Sequence, residues 1–210
     1  MIRSLFDVQW GLSIEKQGET RALFEQVHGN NILSYRTTED YPGKSAPLIQ
    51  ADGVQSYLSQ SEIYVYTADC YPVLFFTEDP EGPIAALHAG WRGLKKRIVK
   101  KGLSFFTDFA EVHAVLGPAI GPCCFSVRED FVEDWKAEGL NPHKFLSQRD
   151  HRIYFNLLDF LLTNELDSLP KKNIHLDLFR CTVCSSPPLP SFRRNKSANP
   201  RLRTWIRKLK

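Results

Sequence analysis

Three side chains in this sequence combine metal affinity or nucleophilicity with a setting of small residues. They are His28 in Gln-Val-His-Gly, Cys70 in Thr-Ala-Asp-Cys and His88 in Leu-His-Ala-Gly-Trp-Arg-Gly. Two imidazoles and a thiolate form a borderline-soft donor set that suits zinc with one coordination position left open, and copper accepts the same set. An open position marks a catalytic site, because water there has its pKa lowered to about 7. Spacing does not join the three: Cys70 lies 42 residues after His28, and His88 lies 18 after Cys70, gaps that match no local zinc motif. Each residue also has an ordinary structural reading, as a satisfied polar histidine or a small buried thiol. The same types permit a metal-free alternative, a Cys70 nucleophile with His28 or His88 as its base.

Arg92, flanked by Gly90 and Gly93, and the pair Arg193-Arg194 are the candidates for holding an anion, because guanidinium forks grip phosphate bidentately. Cys123-Cys124 and Cys181-x-x-Cys184 are a possible four-sulfur zinc set. A vicinal pair is a poor match to the usual Cys-x₂₋₄-Cys knuckle, so reduced structural cysteines are expected there. The basic run Lys95–Lys101 has no interleaved aromatics and reads as a solvated helix face, not a nucleic-acid surface.

Strand ends and turns must present these groups. Ile63–Thr67 and Pro72–Thr77 are β-branched and aromatic runs of strand length on either side of Ala-Asp-Cys-Tyr. Ile84–Leu87 is a third such run, and it leads straight into His88. Leu94, Ile98, Leu103 and Phe106 recur at helical spacing. Val112–Leu116 predicts a strand stopped by Gly-Pro-Ala-Ile-Gly-Pro. Helices are expected over Glu129–Glu138 and Asn156–Leu166, with a late strand over His175–Phe179. Strands and helices without regular βαβ alternation favour an α+β class.

The 210 residues suit one domain spanning 1–210. A 42% apolar and 24% charged composition argues against disordered and fibrous classes. No apolar run approaches the roughly 20 residues needed to span a bilayer, and the first residues have no signal-peptide pattern. Five cysteines, an odd number, fit a reduced, cytoplasmic setting. The net charge of +3 conceals an asymmetry: nine of the 27 basic residues and none of the 24 acidic ones lie from Arg180 onward. An acidic body therefore carries a basic end.

Taken together, the stretch from Ala51 to Gly93, preceded by Gln-Val-His-Gly and followed by Leu-Gly-Pro-Ala-Ile-Gly-Pro-Cys-Cys-Phe-Ser-Val, closely resembles the YfiH family. That family is also called the multicopper polyphenol oxidoreductase (laccase-like) family and is described as purine nucleoside phosphorylases. Arg180-Cys-Thr-Val-Cys through Ser191-Phe-Arg-Arg and on to Ile206 is similar to its closing segment. The resemblance implies an α+β fold of mixed β-sheets covered by helices, in α/β/β/α layers, and a monomer. It implies a zinc site at His28, Cys70 and His88, with copper as the older assignment. The implied activities are phosphorolysis of adenosine, inosine and methylthioadenosine, with hydrolytic deamination of adenosine. In that chemistry Arg92, Arg193 and Arg194 would hold phosphate. Asp52 and Asp69 would transfer protons, contact substrate or hold a ligand histidine in its tautomer.

The laccase-like reading is harder to supply, since a multicopper oxidase needs more histidines than the six present. Relatives begin with a longer segment carrying Thr-Arg-x-Gly-Gly-Val-Ser and Ser-Leu-Asn-Leu-Gly. Here 25 residues precede Gln26 and neither motif occurs. Ser126 and Arg128 replace the family's Glu and Gly, Phe192 its Tyr, and Asn199-Pro200-Arg201 its Thr-Gly-Arg. The metal site is expected to survive these departures. Substrate choice and turnover are where they bear, down to a degenerate member that binds metal and nucleoside with little turnover.

Overall fold

The apolar run from Tyr71 to Phe76 has no polar face, which is the pattern of a strand buried on both sides. The computed structural model, which describes residues 2–209 apart from 17, 20, 21 and 41–46, places that run at the centre of a sheet. An N-terminal hairpin, β1 (Ile2–Leu5) and β2 (Val8–Glu15), comes first. Then follow β3 (Ile32–Tyr35), β4 (Gly53–Ser56), β5 (Glu62–Thr67), β6 (Tyr71–Thr77) and β7 (Ile84–Ala89). Helices α1 (Trp91–Lys95) and α2 (Ile98–Leu103) lead to β8 (Val112–Leu116), β9 (Ser126–Val127) and α3 (Glu129–Ala137). The hairpin β10 (Leu146–Arg149) and β11 (Arg152–Phe155) precedes α4 (Leu157–Phe160), which runs into a π-helical turn over Leu161–Glu165. Last come β12 (Ile174–His175), the short α5 (Phe192–Asn195) and β13 (Arg201–Lys208).

The larger sheet has the order β12-β8-β6-β7-β4-β3, and the smaller one β1-β2-β13-β5. β12 and β3 pair in parallel with β8 and β4, and the other pairs of the larger sheet are antiparallel. Successive side chains of β6 point to opposite faces, so Val73 and Phe75 join Leu94, Ile98, Val132 and Trp135 under the helices. Leu74 and Phe76 join Trp10, Val65 and Ile206 between the two sheets. The fold is thus mixed α+β, and the central sheet is apolar on both sides because both are covered. Two packed sheets with helices over the larger one give the β/β/α part of the layering implied by the resemblance.

Three local expectations change. The helical run from Leu94 to Phe106 is broken into α1 and α2, because Arg97 takes a left-handed conformation (φ 61°). Its guanidinium meets the buried Glu165 at 2.6 Å, and the Glu165 carboxylate also accepts the Lys100 N–H at the start of α2. The Asn156–Leu166 helix forms as α4 plus the π-helical turn. Of His175–Phe179, only His175 pairs in a strand, since the N–H of Phe179 turns back to the Leu176 carbonyl.

Leu87 precedes His88 and is wedged between two glycines. A Cβ at Gly53 would meet its Cδ2 at 2.5 Å, and one at Gly102 would meet its Cδ1 at 2.5 Å. The side chain is fully buried and cannot move aside. Helix propensity alone would make Gly102→Ala stabilising by about 1 kcal/mol. Overpacking against Leu87 reverses the sign, and urea denaturation should show a net loss of about 1–2 kcal/mol.

Candidate metal centre

Asp52 immediately precedes β4, and its buried carboxylate organises the centre. Oδ2 accepts the N–H groups of Val27 (3.3 Å) and Gly29 (2.6 Å), and Oδ1 accepts that of His28 (2.8 Å). Three backbone donors from one loop on one carboxylate fix the path of Gln26–Gly29, including the left-handed His28 (φ 61°). Oδ1 also lies 2.8 Å from Nδ1 of His88 at the end of β7. A carboxylate on Nδ1 selects one tautomer and leaves Nε2 to act as a ligand. Burial works against the Asp52 charge, but His88 and the N–H groups of Gly29 and His28 outweigh it and hold the carboxyl below its usual range.

Cys70 joins this pair from the neighbouring strand. Tyr71 pairs with Ala89 and Pro72 with His88, so Cys70 and Gly90 face one another just beyond the ladder. The ligand atoms of His28, Cys70 and His88 all lie within 4.8 Å of one another. The two imidazole rings meet edge-on, with centroids 4.7 Å apart. Gly90 makes the approach possible: a Cβ there would lie 2.9 Å from Cys70 Sγ and 3.2 Å from His28 Cδ2. Burial raises the Cys70 pKa, but the His88 charge and hydrogen bonds from both histidines bring it down to about 6. Burial opposes the charge on His88, yet the Cys70 thiolate and Asp52 hold its pKa at about 9. Two imidazoles, one thiolate and a carboxylate behind one of them fit a zinc or copper ion.

The other expected site residues fall into different places. Asp52 is 0% exposed, so it holds the His88 tautomer and cannot contact substrate. Asp69 takes φ 98° and commits both carboxylate oxygens, one to the Thr182 hydroxyl (2.5 Å) and one to the Arg193 N–H (2.6 Å). The proton-transfer role expected of it gives way to a positioning one, locking the turn before Cys70. Arg92 stacks over Trp91 at 4.3 Å and, with Arg193 and Phe125, lines a cleft of about 540 Å³ that opens beside α1. Arg194 departs from expectation: its guanidinium donates to the carbonyls of Thr182, Val183 and Leu189 and to Asn195 Oδ1. With four of its five N–H donors engaged within the chain, it acts as a clamp on the 182–189 segment.

Cys123, Cys124, Cys181 and Cys184 are free thiols, as expected, but they are not scattered; they form a second cluster. Sequence reasoning also passed over Trp91 and Phe125 as cleft walls and Thr182 as the partner of Asp69. Trp91 had a visible signal inside His-Ala-Gly-Trp-Arg-Gly. Thr182 had none, because 113 residues separate it from Asp69.

Comparison with known proteins follows the same lines. Residues 9–207 match the family model described as multi-copper polyphenol oxidoreductase laccase. The chain is 33% identical over 160 residues to a purine nucleoside phosphorylase of Aquifex aeolicus, covering 73% of this chain and 69% of that one. It is 33% identical over 174 residues to the purine nucleoside phosphorylase YfiH of Escherichia coli, covering 82% and 68%. Among solved structures, YlmD from Geobacillus stearothermophilus superposes with a TM-score of 0.78 at 21% identity, over 97% of this chain and 93% of that chain. Bacillus licheniformis YfiH gives 0.73 at 22%, over 89% and 73%. At those identities the structures bear on the fold alone.

Two measurements check the centre. Asp52→Asn removes the charge that orients His88 and should lower zinc affinity about 10–100-fold in a competition titration. In chelator-treated protein, Cys70 should alkylate with half-maximal rate near its pKa of about 6, while Cys123, with its pKa pushed up to about 11, stays slow at neutral pH. Peptide mass mapping resolves the two sites.

Proposed function

This chain belongs to the multi-copper polyphenol oxidoreductase laccase family, and from that premise we propose that it is a zinc-dependent purine nucleoside phosphorylase with adenosine deaminase activity, working as a monomer in the cytoplasm. Its substrates are a purine nucleoside (adenosine, inosine or methylthioadenosine) and phosphate. The carrying observation is one cleft whose lining includes three guanidinium groups, Arg92, Arg128 and Arg193, and the aromatic side chains of Trp91, Phe125 and Phe131, beside the carboxylates of Asp130 and Asp134. Arg128 is paired with Asp130 at 2.8 Å and Asp134 with Lys95 at 2.7 Å, which leaves Arg92 and Arg193 for an anion. That cleft begins at Trp91, the residue after the Gly90 cradle of His28, Cys70 and His88.

The residues divide the work by chemistry. Trp91, half-buried, offers aromatic surface to a purine, while Phe125 lies buried beneath the Arg193 guanidinium. Arg92 is anchored by stacking on Trp91, and Arg193 by hydrogen bonds from Nη1 to the Cys124 and Ser126 carbonyls and the Ser126 hydroxyl. Such pre-organised guanidiniums hold phosphate in line with C1′ of the ribose. A phosphate oxygen then bonds to C1′, the C1′–N9 bond breaks, and the base leaves with a proton. In deamination, water adds at C6 and ammonia departs. A zinc ion held by His28, Cys70 and His88 supplies Lewis acidity to this chemistry. Asp52 keeps His88 oriented, and Asp69 keeps the Cys70 turn in place through Thr182 and Arg193.

Copper would be accepted by the same donors, but a multicopper cluster needs further histidines close by. Here His113 and His175 hydrogen-bond each other at 2.9 Å and stack with Phe76 between the sheets, away from His28 and His88. The low Cys70 pKa also suits a metal-free hydrolase, which the assay separates from the main reading.

Zinc-loaded protein incubated with inosine should release hypoxanthine only when phosphate is present, and with adenosine it should release ammonia without phosphate. Arg92→Ala should raise KM for phosphate about 10-fold or more. Cys70→Ala should retain less than ~0.3 zinc in the centre and lose at least ~100-fold in rate. Turnover that survives chelation and is abolished by alkylation would establish the hydrolase instead. Phosphate-independent release of ammonia as the sole reaction would remove the phosphorylase.

A further inference from the structure

Four cysteines stand outside the centre described above, and the fold brings their sulfurs within 4.8 Å of one another. Two tight turns accomplish this. In the first, the N–H groups of Cys124 and Phe125 both donate to the Gly121 carbonyl at 3.0 Å, which curls the backbone under the adjacent Cys123 and Cys124. In the second, the Ser185 N–H donates to the Cys181 carbonyl at 3.0 Å and carries Cys184 back toward Cys181. A parallel bridge between Ala119 and Cys181 fastens the two turns side by side. The sulfurs of Cys123 and Cys184, one from each turn, are 3.5 Å apart.

We infer that Cys123, Cys124, Cys181 and Cys184 form a second, structural metal site for a tetrahedral thiophilic divalent ion, zinc foremost, that pins the 181–184 turn to the 121–124 turn. Sulfurs bound to zinc at ~2.3 Å stand ~3.8 Å apart in a tetrahedron. The 3.5 Å pair and the 4.8 Å limit of the cluster bracket that separation. The Gly121 N–H donates to Cys181 Sγ at 3.3 Å, the kind of contact that orients a thiolate ligand. A Cβ at Gly121 would lie 3.2 Å from Cys123 Sγ and 3.5 Å from Cys181 Sγ, so the glycine leaves room for the sulfurs.

Charge carries the argument further. Four thiolates and a divalent cation leave two negative charges, and the protons of the thiols are released as the ion binds. Three guanidinium groups already grip the carbonyls of these two turns. Arg149 donates to those of Pro122 and Cys123, Arg193 to that of Cys124, and Arg194 to those of Thr182 and Val183. An anionic site at the sulfurs attracts these cations. The site also has a consequence for the first centre. Thr182, between Cys181 and Cys184, holds Asp69 next to Cys70, so the second ion stiffens the turn that presents a ligand of the first.

Cys70→Ala removes a ligand of the first centre and isolates the second. Reconstituted with zinc or cobalt(II) under reducing conditions, that variant should still take up ~1 ion per chain, with the strong thiolate-to-cobalt absorption of a four-sulfur site. Adding Cys184→Ser should lower uptake to under ~0.2 ion per chain; Cys123→Ser, the other exposed sulfur, serves if that variant does not fold. In the unsubstituted protein, zinc should slow alkylation of all four thiols at least ~10-fold. Uptake below ~0.2 ion in Cys70→Ala, or uptake indifferent to both serine variants, overturns the inference. So does a Cys123–Cys184 disulfide in freshly purified protein.

Discussion

A single buried carboxylate sets the geometry on which the rest of the first centre depends. Asp52 sits where β4 begins, and charge in so dry a place requires compensation. It obtains this from three N–H groups of the His28 loop and from the His88 ring. The compensation therefore positions two of the three donors at once. Cys70 arrives by a different route, the register of β6 against β7, with Gly90 leaving space for its sulfur.

The scaffold makes that precision possible because the central sheet is covered on both faces. Strands β6, β7 and β8 supply side chains alternately to the helical layer and to the inter-sheet layer, so these strands are packed on both faces. Arg97 and Glu165 contribute by breaking the helix after the site. The break lets α1 stay short, with Trp91 and Arg92 at the cleft, while α2 packs Gly102 against Leu87.

The basic end of the chain has a job within the fold as well as at its surface. Arg193 and Arg194 bind backbone carbonyls of the cysteine turns, and Arg203 and Arg207 pair with Glu62 on β5. An asymmetry that in sequence suggests an anionic ligand is largely spent on holding the C-terminal segment to the acidic body. Arg193 also lines the cleft beside α1.

Residue types and strand-length runs were enough to select His28, Cys70 and His88 as a donor set, and β5, β6, β7 and β8 as the strands around them. Donor chemistry and apolar runs are local properties, readable without a fold. What brought the three together was not local. A gap of 42 residues carries no metric, and only the Asp52 bonds and the β6–β7 register convert it into a distance. The same holds for Asp69, whose partner Thr182 is remote in sequence, and for Arg194, whose donors turn inward. It holds most clearly for the cysteines. A vicinal pair looks unsuited to metal when measured along the chain, yet two turns and one β-bridge place its sulfurs beside another pair nearly 60 residues away. The sequence by itself determined which atoms could do the chemistry. Tertiary structure decided which of them meet, because hydrogen bonds and strand register act between residues that the chain keeps far apart.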